Sequence, residues 1–234
     1  MLVIPYTEML KNILNLFFPK VCFGCDGILL ADEKVICTTC RHNIPLTNHC
    51  FQFENEMFQR FYGRIPVEFV GAKLFFHKKG IVQRLIYNLK YFGHQEIGTE
   101  IGNWFAEDLK NLDQIKTIDA IIPVPLHEKR MKKRGYNQVT TFGIALSEKL
   151  NIEYNTDILF RQIHKESQSK KVFTDRTDSN TSIFNVIFDE KNHNKHFLIV
   201  DDVFTTGATL ELCAKALLKI PGSKISIVCM TMAH

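Results

Sequence analysis

Two stretches of the chain hold residue types at spacings that can do chemistry. In "FLIVDDVFTTGATLELC" (197–213), four apolar residues run into Asp201 and Asp202, and Thr205, Thr206, Gly207, Ala208 and Thr209 lead into a helical pattern. Unpaired N–H groups at a helix start, reinforced by the helix dipole, hold a phosphate without any basic side chain. Gly207 permits close backbone approach, and the threonine hydroxyls add donors. A threonine before a helix is also an ordinary N-cap. Carboxylates repel a phosphate, but they suit the vicinal hydroxyls of a sugar or a Mg²⁺ bound beside them. The string therefore reads as a site for a ligand with two ends, sugar hydroxyls at the aspartates and a terminal phosphate deeper in the loop.

The second stretch contains "CFGC" and "CTTC", that is Cys22-x2-Cys25 and Cys37-x2-Cys40, with eleven residues between the pairs. Thiolates two residues apart form a knuckle that aims both at one ion, and two knuckles make the tetrahedral sulfur set that Zn²⁺ prefers. Two disulfides or a redox pair are the competing readings. An odd total of seven cysteines suits a reducing cytoplasm with a metal site better than a secreted disulfide framework. His42, His49 and Cys50 are left over, and a second metal site built on them is a minority reading. Cys213 and Cys229, alone in apolar segments, read as buried small hydrophobes.

The elements that must position these residues follow from periodicity. Residues 1–20 read as a short amphipathic helix, 21–50 as the zinc-binding module with its four cysteines, and 51–66 as a linker. Residues 67–234 read as an α/β domain with a mostly parallel twisted sheet flanked by helices. Strands are expected at 67–77, 118–126, 182–188, 196–200 and 224–232, with Gly71 as a bulge in the first. Helices are expected over 80–91, 97–112, 138–150 and 207–220. Strands alternating with helices predict a parallel sheet covered on both faces, with ligands at the carboxyl ends of the strands. Both "IIPVP" and the aspartate pair lie at such ends. With 234 residues, 45% hydrophobic and 23% charged, a real core is expected and general disorder is not. A net charge of +4 permits an anionic ligand without predicting nucleic acid. No membrane span is expected, and the start lacks the basic leader of a secretory signal.

At this point the sequence resembles a known family. "IVDDVFTTGAT" looks like the phosphoribosyl pyrophosphate (PRPP) motif of type I phosphoribosyltransferases. There the two acids hold the ribose hydroxyls and the following loop cradles the 5-phosphate. "RGYNQ" (134–138) and "NLKYFG" (88–93) look like segments of the ComF group within that family. The resemblance implies the type I phosphoribosyltransferase fold and an N-terminal cysteine-rich finger. It also implies PRPP binding with Mg²⁺ at Asp201, Asp202 and 205–209. Pyrophosphate or DNA candidates are Lys90, Arg130, Lys133 and Arg134, with Lys132 further out. A solvated turn is the competing reading of five cations in six positions (129–134). Gln168 and Arg176, further pyrophosphate or DNA candidates, match with Asn180 and Phe184 a spaced pattern of the ComF group, and the polar stretch 165–181 reads either as a covering loop or as an exposed connector.

Two classes of function remain open. A phosphoribosyltransferase would expel pyrophosphate from the ribose C1 in favour of an acceptor that the sequence does not name. A binding protein would use the same fold as a PRPP or nucleotide sensor, or as a single-stranded DNA adaptor working with other competence proteins, in line with the family's link to DNA uptake. A receiver-type phospho-acceptor fits poorly, because its acids belong near the chain start.

Overall fold

Residues 17–52, 54–162 and 183–233 are described by the computed structural model. Runs rich in Ile, Val and other apolar residues form the central strands. These are β6 (His196–Phe204) and β7 (Lys224–Ala233), flanked by β1 (Phe69–Phe76), β2 (Ala120–Pro123) and β3 (Glu153–Tyr154). All pair in parallel in the order β1-β7-β6-β2-β3. Side chains alternate across the sheet. Leu198, Val200, Val228 and Met230 enter one apolar cluster, while Phe197, Ile199, Ile227 and Cys229 enter the other. Burial on both faces explains why these strands read as continuous apolar runs.

The first face is covered by α3 (Ile81–Tyr91), α4 (Glu96–Leu109), the single turn α5 (Asp113–Lys116) and α7 (Thr140–Leu150), together with the cysteine module. The opposite face carries α2 (Glu56–Phe61), α8 (Ala208–Leu217) and an antiparallel pair, β4 (Leu159–Arg161) with β5 (Phe184–Val186). Asn55 caps α2, accepting from the N–H groups of Met57 and Phe58. Cys213 and Cys229 are fully buried in this second cluster, as expected. The parallel sheet flanked by helices, with an N-terminal cysteine cluster, is thus the architecture anticipated.

Some details differ from expectation. The β1–β7 register keeps one offset through Val70↔Ile227, Gly71↔Val228 and Ala72↔Cys229, so Gly71 marks no bulge there. A Cβ on Gly71 would stand 3.4 Å from the His49 Cβ, so its smallness serves a close approach. The short β3 and β4 are additional to the expected strands. The strand expected at 196–200 continues through both aspartates to Phe204. Of the expected first helix, residues 1–16 lie outside the described residues, as do Gln168, Arg176 and Asn180.

The outer edge of β1 is not bare. Leu46 bridges Leu74 in antiparallel fashion, Thr47 N–H donates to Lys73 O, and Phe75 N–H donates to Pro45 O. The chain leaving the cysteine module therefore caps the sheet edge before passing into α2. Within the module, α1 (Thr38–Asn43) places the Arg41 guanidinium 4.8 Å from the ring centre of Trp104 on α4.

Candidate functional site

Parallel pairing of β2 with β6 brings two loops together at their carboxyl ends, since Pro123 registers with Val200 and Val124 N–H donates to Val200 O. A cleft of about 820 Å³ opens there. Asp201, Asp202, Thr205 and Thr209 line it from one side, and Lys90, Lys129 and Arg130 from the others. Asp202 is buried, and its Oδ2 lies 2.8 Å from the Lys90 Nζ, whose side chain is 19% exposed. The approach is off the hydrogen-bonding direction, so Oδ2 has a charge partner but no hydrogen bond. Asp201 accepts from the Asp202 N–H at 2.8 Å. Protein atoms surround the Asp201 carboxyl although part of the residue faces the cleft. That burial, with the adjacent Asp202 charge, pushes its pKa up to about 8 against the pull of Lys90 and Arg130. The pair therefore holds a proton to higher pH than a lone carboxyl does.

The loop beyond the acids turns at Gly207, which has φ +77° and immediately precedes α8. A side chain there would be strained by that backbone and would meet Phe204 at 2.8 Å and Phe61 at 3.1 Å. The turn leaves Thr205, Thr206, Ala208 and Thr209 exposed at the start of α8. The first N–H groups of any helix lack intrahelical acceptors. Thr206 Oγ1 takes one of them weakly, from Ala208 N at 3.4 Å.

The basic segment forms a helix rather than a turn, α6 (Glu128–Arg134). His127 Nδ1 caps its start by accepting from Lys129 N–H at 3.1 Å, and Gly135 ends it at φ +77°. Its cations diverge. Lys129 and Arg130 reach the cleft. Lys132 pairs with Glu128 at 2.7 Å. Lys133 and Arg134 lie over the ring of Tyr91 at 6.0 and 5.5 Å. Arg134 is not among the cleft-lining residues, but it donates to Gln138, which is. "RGYNQ" works as a staple. Beyond the Arg134–Gln138 bond, the Tyr136 hydroxyl donates to Leu89 O and Asn137 Nδ2 donates to Val124 O at 3.0 Å. Arg161 of β4 also lines the cleft, and its guanidinium lies 5.3 Å from the Phe184 ring centre. No motif marked Arg161. Its relevance depends on how β4 packs, which no local pattern reveals.

Cys22, Cys25, Cys37 and Cys40 place their sulfurs all within 4.8 Å of one another. A tetrahedral Zn²⁺ with bonds of about 2.3 Å would space them at about 3.8 Å. Cys25 and Cys37 are 3.7 Å apart. The N–H groups of Gly24 and Cys37 donate to the Cys22 sulfur at 3.3 and 3.2 Å. Such donors stabilise thiolates, so the set fits the ion. Glu33 braces the loop between the knuckles by accepting from Leu30 N–H and Thr38 N–H. His49 and Cys50 fall outside this cluster. His49 is buried, with Nδ1 accepting from Ala72 N–H and Nε2 3.2 Å from Glu56. Burial pushes the Cys50 thiol up to about 12.

No family model matches the chain. Among characterised proteins, it is 26% identical over 233 residues to competence protein F of Haemophilus influenzae, covering 90% of this chain and 96% of that protein. It is 26% identical over 216 residues to competence protein ComFC of Bacillus subtilis, covering 91% and 83%. The DNA utilization protein YhgH of Escherichia coli O157:H7 matches at 26% over 149 residues, 62% of this chain and 65% of its own length. Solved structures that overlap it include a purine phosphoribosyltransferase from Pyrococcus horikoshii (TM-score 0.36, 21% identity, 58% of this chain and 73% of that one). An adenine phosphoribosyltransferase from Trypanosoma brucei overlaps with TM-score 0.37 and 15% identity, over 61% and 67%. No helix among the described residues is long and apolar enough to cross a membrane.

Proposed function

We propose, for a chain similar to the ComF competence proteins along 90% of its length, that the cleft binds PRPP with Mg²⁺ and supports phosphoribosyl transfer with release of pyrophosphate. One observation carries the reading: an acid pair, Asp202 buried and Asp201 half-buried, is followed after Val203 and Phe204 by the turn that opens α8, where Thr205, Thr206, Ala208 and Thr209 are exposed around the buried Gly207, with Lys90 and Arg130 across the same cleft. Asp201 and Asp202 would take the ribose hydroxyls. The N–H groups and hydroxyls of 205–209 would take the 5-phosphate. Lys90 and Arg130 would face the diphosphate and stabilise negative charge as it departs. Mg²⁺ would supply further neutralisation of that diphosphate. The four-cysteine module would hold a structural Zn²⁺, and the setting would be the cytoplasm.

Calorimetry with PRPP, with and without Mg²⁺, on wild type and Asp202→Asn tests the binding. Wild type should bind with Mg²⁺, and Asp202→Asn should lose at least about tenfold, or about 1.4 kcal/mol. Equal binding by both proteins counts against the acid pair. A pyrophosphate-release assay across nucleobases and amines tests transfer.

A second reading, single-stranded DNA binding as a competence adaptor, is favoured by one surface. Tyr87 and Tyr91 are about half exposed, with ring centres 4.8 Å apart, and Lys133 and Arg134 flank Tyr91. Aromatic faces beside cations suit stacked bases and phosphates. Oligonucleotide affinity should then fall steeply with salt, and Lys133→Ala with Arg134→Ala should flatten that slope by about two units. A salt-independent response removes this reading.

A further inference from the structure

The cysteine module and the acid pair are joined by one helix, α3. At its start, Gly24 of the first knuckle is pressed between metal site and helix. A Cβ there would stand 2.9 Å from the Ile81 Cγ2 and 3.2 Å from the Cys40 sulfur. One turn on, Arg84 pairs with Asp26 of the same knuckle. In the last turn, Asn88 Nδ2 donates to Phe23 O at 3.2 Å, and the Phe23 ring lies 4.1 Å from that of His94 just beyond the helix. Buried Cys22 and Cys40 share a core cluster with Val82, Leu85, Ile86 and Leu89 along the helix. Two residues after Asn88, the Lys90 ammonium meets Asp202. The knuckle thus touches α3 along its length, on the way to the lysine paired with the acids.

We infer that the Cys22–Cys25 knuckle fixes the position of α3 and thereby places Lys90 at the acid pair, with Asn88 as the positioning residue that couples the metal-loaded module to diphosphate binding. A helix moves nearly as a rigid rod, so a contact in its last turn governs where a side chain two residues later can reach. Lysine has a long flexible stem, and its charge is useful only where the backbone holds it. The Asn88 carbonyl also accepts from the Phe92 N–H at 3.1 Å and closes the helix end. Tyr136 holds the neighbouring Leu89 carbonyl from the other side. The end of α3 is therefore clamped between the cysteine module and "RGYNQ". This inference rests on the cleft being the phosphoribosyl site proposed above.

The test uses full-length, zinc-loaded wild type, Asn88→Ala, Lys90→Met and the double variant. Each is titrated with Mg²⁺-pyrophosphate, and its zinc content is measured. Asn88→Ala should keep its zinc yet bind on the order of fivefold more weakly, and the double variant should bind no worse than Lys90→Met alone. A weakening by Asn88→Ala that persists undiminished in the Lys90→Met background overturns the inference, and so does wild-type affinity in Asn88→Ala. A ligand-free arm separates this from failure of the binding reading itself. Urea unfolding of Lys90→Met, Asp202→Asn and their combination gives the Lys90–Asp202 coupling. That coupling should shrink when Asn88 is replaced by alanine. An unchanged coupling refutes the link, whatever the cleft binds.

Discussion

Asp201 and Asp202 are neighbours with different environments. Asp202 has Lys90 as a charge partner, whereas burial and the neighbouring Asp202 charge raise the pKa of the Asp201 carboxyl. A carboxyl whose folded pKa is raised to about 8 binds more protons folded than unfolded over the range from about pH 4, its unfolded value, to about pH 8. Its contribution to stability falls as pH rises through that window and levels off above it. Asp201→Asn removes this slope. Its melting temperature should exceed that of wild type by a margin that grows from about pH 4 to about pH 8, as measured by scanning fluorimetry in ligand-free buffer. A parallel pair of curves contradicts the assignment. The acid pair was legible because strand, acids, small loop and helix follow one another directly. The Lys90–Asp202 contact was not, because it joins residues far apart in the chain through the packing of α3 on the sheet.

Helix α6 shows where local pattern misleads. Five cations in six positions read as readily as a solvated turn, and the cap is a histidine rather than the usual Ser, Thr, Asp or Asn. Local features hold it, the His127 cap, the Lys132–Glu128 pair and the left-handed Gly135, while Tyr136 and Asn137 tie its exit to the α3 end and the β2 loop. In "RGYNQ", therefore, recognisable spacing reflects stapling as much as ligand contact. The Tyr136→Phe substitution should weaken pyrophosphate binding about threefold and stability by about 1 kcal/mol, the worth of one hydrogen bond. Urea midpoints and calorimetry read the two effects. At the other loop, Gly207→Ala must place a side chain at φ +77° against Phe204. It should cost about 1–3 kcal/mol in urea unfolding. Full stability in that variant shows that the turn tolerates a side chain.

The cysteine module is joined to the body through more than its chain. Cys22 and Cys40 share the main core cluster, the exit segment 45–49 closes the β1 edge, and the Cys22–Cys25 knuckle rests on α3. Unfolding should then be a single transition. Chelation, or Cys22→Ser, should lower its midpoint by several degrees, about what 1–2 kcal/mol does in a chain of this size, rather than release a separate early melt. Calorimetry of the metal-loaded and chelated protein distinguishes the two. The spacing of the cysteines was plain in the sequence. The docking was not, because Gly24, Asp26 and Arg41 look like ordinary loop residues until their partners are in place. Trp104 is the single tryptophan of the chain, and the Arg41 guanidinium of the module covers its ring. Any separation of module from body should therefore shift the indole emission, so the protein carries its own optical gauge of whether its two parts are engaged.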